Sequence, residues 1–230
     1  LFYFFDSRLR VEKAAPEVTF IKEINERPVL SAEDLALKSS SERFYQQTLL
    51  RSRFNGGILV SRNGKIIFEA YNGLNQVLKG DSINSSTSFH LASVSKTITA
   101  MALLRLFEEK RISIDQPVAS FLTGFPFPKI SVRNLLNHRS GLPNYVHFAE
   151  SLGWDTKKTL TNQDVLQLLI EKSAMLNIGR PDAYFDYCNT NYALLALIIE
   201  KVSTLSFANY LDQTIFKPLG MNHSFVFLMY

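Results

Sequence analysis

An Asn-Gly pair at positions 63 and 64 sits between two β-prone runs, Gly57-Ile58-Leu59-Val60-Ser61-Arg62 and Lys65-Ile66-Ile67-Phe68-Glu69-Ala70-Tyr71. Both central positions of the tightest hairpin turn need positive φ, which Asn and Gly tolerate, so this spacing predicts an antiparallel hairpin. The unbroken triplet Ile58-Leu59-Val60 predicts a strand covered on both faces. After a polar loop over residues 80–88 the pattern changes to a helical period. Helices are predicted over 94–110, 131–137, 161–172, 190–203 and 206–215, with Ser131, Thr161 and Ser206 as N-caps. Pro117, Gly124, Pro126, Pro128, Gly141 and Pro143 punctuate the connections. A further helix over 41–53 precedes the hairpin. Strands segregated from helices describe an α+β chain with three parts: an extension over 1–40, a helix plus hairpin over 41–88, and a predominantly helical lobe over 89–230. One hairpin is too small a sheet to stand alone, so the sheet reads as unfinished.

Composition removes several function classes. The 230 residues are 46% hydrophobic, enough to bury a full core, and the 25 basic side chains are scattered among 21 acidic ones, so no nucleic-acid stripe forms. The single cysteine, Cys188, excludes an internal disulfide and a cysteine metal cage. His90, His147 and His223 show no metal-ligand spacing, and neither His-Glu-x-x-His nor Gly-x-Gly-x-x-Gly occurs; no metal or cofactor is expected. No apolar run reaches membrane-spanning length. The apolar start, Leu1-Phe2-Tyr3-Phe4-Phe5, fits the trailing end of an export signal or anchor, and equally a strand or packed terminal helix.

The chemistry concentrates in Ser93-Val94-Ser95-Lys96. From Thr97 to Lys110 the period is helical, with Ala100, Leu103, Leu104 and Phe107 on one face. Residues three apart on a helix are neighbours, which sets the Lys96 amine beside the Ser93 hydroxyl. Ser-x-x-Lys is a weak signal by itself, because it arises by chance at many helix starts. Its setting strengthens it: the flanking residues are almost uncharged, and apolar burial would leave Lys96 partly neutral and able to take a proton. Tyr187, flanked by Phe185 and Tyr192, fits core aromatic packing on its own. Asn189 is placed to cap the helix beginning near Thr190. His138 and Ser140 are too close along one loop to face each other as a dyad, so that loop is given a structural turn role. Cys188 is expected to be a spectator.

Three segments together resemble the serine β-lactamase and penicillin-binding-protein superfamily, most closely its class C-like branch of serine hydrolases. They are His90-Leu91-Ala92-Ser93-Val94-Ser95-Lys96-Thr97; Leu135-Leu136-Asn137-His138-Arg139-Ser140-Gly141-Leu142-Pro143; and Tyr187-Cys188-Asn189-Thr190-Asn191-Tyr192, followed by Pro218-Leu219-Gly220-Met221. The resemblance implies a β-lactamase/transpeptidase-like fold, an α/β lobe with an antiparallel sheet flanked by helices and an all-α lobe. It also implies Ser93 as the acylated nucleophile, Lys96 as its proton partner, Tyr187 as the second basic group and Asn189 as a substrate-binding amide. The implied substrates are amides or esters, including peptidoglycan-derived peptides, in an extracytoplasmic setting. The same branch carries a Lys or His, Thr or Ser, Gly triplet on a strand. The nearest match here, Leu122-Thr123-Gly124, lacks the cation and precedes the tyrosine motif. The chain is therefore expected to be a fragment lacking the C-terminal strands, and weakly active or inactive alone. The rival readings are a non-catalytic envelope binding or scaffold domain of the same fold, and a cytosolic esterase.

Overall fold

The computed structural model describes residues 29–76 and 80–227. The apolar Leu1–Phe5 segment, and the expected extension as far as Pro28, lie outside the described residues. The described residues form two compact units, one within Glu17–His90 and the other within Leu91–Tyr230.

In the first unit, helix α1 (Ala32–Phe44) starts well before the Ser41 expected from the sequence. Ser31 and Asp34 form a reciprocal capping box, each side chain accepting the other's backbone N–H at 3.1 Å. Ser31-Ala32-Glu33-Asp34 carried that signal, with Asp in the place of the commoner Glu or Gln. The helix continues as a π turn (Tyr45–Leu49) and a 3-10 turn (Leu50–Ser52), and stops at Arg53 with φ 59°. The hairpin forms as expected from β1 (Gly56–Arg62) and β2 (Lys65–Asn72), with Asn63 at φ 51° and Gly64 at φ 76°. Val60 faces Phe68 while Ser61 faces Ile66, so Ile67 is an extra residue in β2; its side chain is buried. Tyr45 fastens α1 to the hairpin by stacking against Phe68 at 5.8 Å and donating its hydroxyl to the Tyr71 carbonyl at 3.2 Å. Arg62 reaches back to Glu33 and Asp34. The expectation that β1 is covered on both faces fails: its residues alternate between half-buried and exposed, and Leu59 is 54% exposed. Within this unit the described strands pair only as β1 with β2, and as the short β3 (Leu74–Gln76) with β4 (Asp81–Ser82). An apolar triplet therefore did not mean two-sided burial.

The second unit is helical: α2 (Ser95–Glu108), α3 (Val132–Leu136), α4 (Tyr145–Phe148), α5 (Asn162–Glu171), α6 (Asn189–Ser203) and α7 (Phe207–Leu211), which runs on as a π turn, Asp212–Phe216. Ser131, Thr161 and Ser206 cap α3, α5 and α7 as expected. Helix α6 is the centre. Leu194, Leu195, Ile198 and Ile199 are fully buried, and α2, α3, α5 and α7 all pack on it. A helix apolar on every side has to be wrapped in this way. Helix α2 buries Thr99, Ala102, Leu103 and Leu106; of the expected face, Leu103 is fully buried and Leu104 packs against the core, while Ala100 is half-buried and Phe107 exposed. Apolar residues ring α2, so periodicity did not select the face, and Met101 and Phe107 are left exposed. Among the described residues no single helix is long and apolar enough to cross a membrane.

Replacing Ile198 by Ala leaves a cavity in this wrapped helix and is expected to destabilise the protein by about 2–5 kcal/mol. Leu59→Ser, on the exposed strand face, is expected to stay within about 0.5 kcal/mol of the parent. Chemical denaturation of both variants checks the contrast.

Candidate active site

Ser93 lies in the 3-10 turn Ala92–Val94 that opens α2. Ala92, immediately before it, has φ 46°, a left-handed conformation that costs a residue bearing a Cβ about 1–2 kcal/mol. The Val94 N–H closes the turn onto the Leu91 carbonyl at 3.0 Å, and the Ser95 hydroxyl donates to the Ala92 carbonyl. Ser93 is thereby held exposed at the start of the helix.

Two side chains converge on Ser93 Oγ. Tyr187 Oη is 2.5 Å away and Lys96 Nζ 3.2 Å away. Lys96 is half-buried rather than sunk in an apolar face, because it sits on the first turn of α2 among exposed neighbours. Aromatic faces surround it in place of aliphatic packing: Nζ lies 5.0 Å from the ring centre of Tyr187 and 5.7 Å from that of Tyr192. Burial opposes ionisation of the Tyr187 phenol, but interactions with Lys96 and Ser93 outweigh it and hold the phenol below the ordinary tyrosine range.

Tyr187 is delivered by a segment without regular structure, and hydrogen bonds fix that segment to residues 138–141. The Gly179, Asp182 and Asp186 amides donate to the carbonyls of Gly141, Arg139 and His138 at 2.8, 2.9 and 2.8 Å. The Cys188 amide donates to His138 Nδ1 at 3.1 Å. Asp182 also accepts from Asn134 Nδ2 at 2.8 Å and pairs with Arg139. Gly141, at φ 74°, allows the close approach, since a Cβ there would lie 2.3 Å from the Gly179 carbonyl oxygen.

The loop of His138 therefore has a structural role, and no His138–Ser140 dyad forms. Ser140 donates to Asn191 Oδ1 at 2.6 Å and accepts the Leu142 N–H. Sequence reasoning missed where the His138 imidazole goes. It is 5% exposed, with its ring centre 4.6 Å from that of Tyr187 and 5.1 Å from that of Tyr192. Burial, then the positive charge of Lys96, pushes its pKa down to about 4, and Asp186 offsets only part of this. Asn189 is the first residue of α6. The N-cap position belongs to Cys188, which makes no side-chain capping bond, so the capping role weighed for Asn189 is not found. The Cys188 thiol is buried, donates to the Pro143 carbonyl at 3.3 Å and is pushed up by burial, as suits a spectator. Among the described residues no three His, Cys, Asp or Glu side chains converge to hold a metal.

Gly141→Ala is expected to force the two segments apart and destabilise the unit by about 1–3 kcal/mol, measurable by denaturant unfolding. His138 sets a pH window. The unfolded chain takes up its proton near the ordinary value of 6.5, the folded chain only near 4, so its stabilising contribution is complete above 6.5 and is lost as pH falls towards 4. The unfolding free energy of the parent, referenced to His138→Asn, should decline across that window and be flat above it.

The chain matches the beta-lactamase family over residues 42–228. It is 34% identical over 192 residues to a penicillin-binding protein of Bacillus subtilis (strain 168), an alignment covering 81% of this chain and 42% of that relative. A penicillin binding protein from Bacillus halodurans superposes with a TM-score of 0.68 at 31% identity, over 79% of this chain and 55% of the other. A D-stereospecific amidohydrolase from Streptomyces sp. does so with a TM-score of 0.51 at 31% identity, over 57% of this chain and 42% of the other. The chain thus spans roughly half the length of these proteins, and its α+β fold is β-lactamase/transpeptidase-like. Its convergent serine, lysine and tyrosine sit within the matched span, and the chain belongs to the beta-lactamase family of serine β-lactamases and penicillin-binding proteins.

Proposed function

We propose that the protein is a serine hydrolase that forms an acyl-enzyme on Ser93 and acts on amide or ester bonds of small substrates, including peptidoglycan-derived peptides, in the cell envelope. One observation carries this reading: Tyr187 Oη and Lys96 Nζ both lie within hydrogen-bonding distance of a single, exposed hydroxyl oxygen. The named relatives, a penicillin-binding protein and a D-stereospecific amidohydrolase, support the substrate class.

With Tyr187 ionised, its hydrogen bond to Ser93 reverses and the serine becomes the donor. As Oγ attacks the carbonyl carbon, the serine proton passes to the phenolate, and the Lys96 cation steadies the charge that gathers between them. The Ser93 N–H, at the start of a helix where amides lack intrahelical partners, is placed to donate to the developing oxyanion. Collapse of the tetrahedral adduct expels the amine or alkoxide, which takes the proton from Tyr187. Water then attacks the ester carbon, gives its proton to Tyr187, and Ser93 recovers it as the acid leaves. Asn189, two residues beyond Tyr187, contacts the substrate amide or ester side.

A fluorescent penicillin or an activated ester, incubated with the full-length protein, should leave its mass on the peptide containing Ser93. Ser93→Ala should abolish the adduct, and Tyr187→Phe should slow its formation by about 100- to 10,000-fold. An adduct of undiminished yield on Ser93→Ala protein refutes the assignment.

A further inference from the structure

We propose that His138 is the positioning residue for Tyr187, acting through Nδ1 as the acceptor of the Cys188 amide and through its ring beside the phenol. The inference rests on the reading of Tyr187 as the proton carrier, and extends it to a residue that touches neither Ser93 nor Lys96 by hydrogen bond.

Nδ1 meets two donors, the Cys188 N–H at 3.1 Å and the Asn191 side-chain amide at 3.3 Å. A backbone amide can only donate, so Nδ1 must offer its lone pair and the ring proton resides on Nε2. Asn191 is fully buried and is itself oriented by the Ser140 hydroxyl at 2.6 Å. The imidazole is therefore fixed from behind by two groups and presents its face to Tyr187 at 4.6 Å, with a 33° angle between the rings. Its backbone helps as well: the His138 carbonyl accepts the Asp186 amide at 2.8 Å. One residue thus grips the chain on both sides of Tyr187, at 186 and at 188. Its φ of 57° is one that His and Asn tolerate better than most residues.

The titratable groups facing the ring are Lys96 from α2, Asp186, Tyr187 and Cys188 from the segment before α6, and Tyr192 from α6. A proton on Nδ1 would meet the two donors head-on and add a second cation beside Lys96. Loss of the acceptor would leave the Cys188 amide, on a residue only 1% exposed, without a partner. That amide adjoins Tyr187, so the phenol would shift with it.

Two substitutions separate a positioning role from a merely structural one. In His138→Asn the side-chain oxygen occupies the place of Nδ1 and the left-handed backbone is tolerated; in His138→Phe a ring remains but the acceptor is gone. In the full-length protein, His138→Phe is expected to lower the maximal rate of Ser93 acylation about 100-fold, the cost of a misplacement of about 1 Å, with little change in the half-saturating probe concentration. His138→Asn should recover to within about tenfold of the parent. The ultraviolet titration of the Tyr187 phenol, assigned by its loss in Tyr187→Phe, should move up towards the ordinary tyrosine range in His138→Phe and not in His138→Asn. Nitrogen-15 spectra of labelled histidine should show the proton on Nε2 of His138 at neutral pH; this arm needs neither turnover nor a folded Phe variant. A proton on Nδ1 overturns the proposal, as does a folded His138→Phe protein whose Tyr187 titration and acylation rate match the parent. Failure of the parent itself to be acylated at Ser93 would instead strike the hydrolase reading, with the tautomer and phenol titration still deciding the role of His138.

Discussion

Four amides from the segment before α6, those of Gly179, Asp182, Asp186 and Cys188, close onto acceptors in residues 138–141, and the site exists only because they do. Tyr187 is 41% exposed, so burial of its own side chain does little to hold it. A long segment without helix or strand would otherwise let the phenol sample many positions, and ordering it costs conformational entropy. Each hydrogen bond contributes only about 0.5–1.5 kcal/mol net. Their value lies in direction: together they determine where the backbone passes, and the side chain follows. Gly141 is part of the same constraint, since the two segments approach more closely than any Cβ would allow.

Electrostatics then assigns different states to three neighbouring groups. Lys96 supplies positive charge, and the Tyr187 phenol responds by ionising more readily than usual despite its partial desolvation. His138, deeper and close to the same cation, responds in the opposite sense and stays neutral. A charged imidazole would compete with Lys96 for the phenolate and forfeit the Cys188 bond. Placing the histidine behind the tyrosine, with its lone pair turned to the backbone, avoids both.

What could be read from the sequence was local. Asn63-Gly64 determined its turn because both residues tolerate positive φ, and Ser131, Thr161 and Ser206 capped their helices because capping involves atoms three residues apart. Ser93 and Lys96 met for the same reason. Tyr187 was identifiable only through the resemblance of its motif. The buried face of α2 was only partly legible, with Leu103 found and Ala102 and Leu106 missed, because apolar residues ring that helix. The environment of Lys96 was misjudged because its aromatic neighbours come from far along the chain. The role of His138 was invisible for that reason too: the amide it accepts lies fifty positions away, and nothing in Asn137-His138-Arg139 announces it. Helix α1 was a different kind of miss, since Ser31 and Asp34 carried a local signal that went unread.

The central claim is that Tyr187 and Lys96 act on the oxygen of Ser93. A crystal structure of the full-length protein after reaction with an acyl phosphonate, which mimics the tetrahedral adduct, tests it directly. The account predicts continuous density from Ser93 Oγ to phosphorus, with Tyr187 Oη and Lys96 Nζ both within hydrogen-bonding distance of the bridging oxygen. Phosphorus bound to any other side chain, or an adduct on Ser93 from which Tyr187 has swung away, would contradict it.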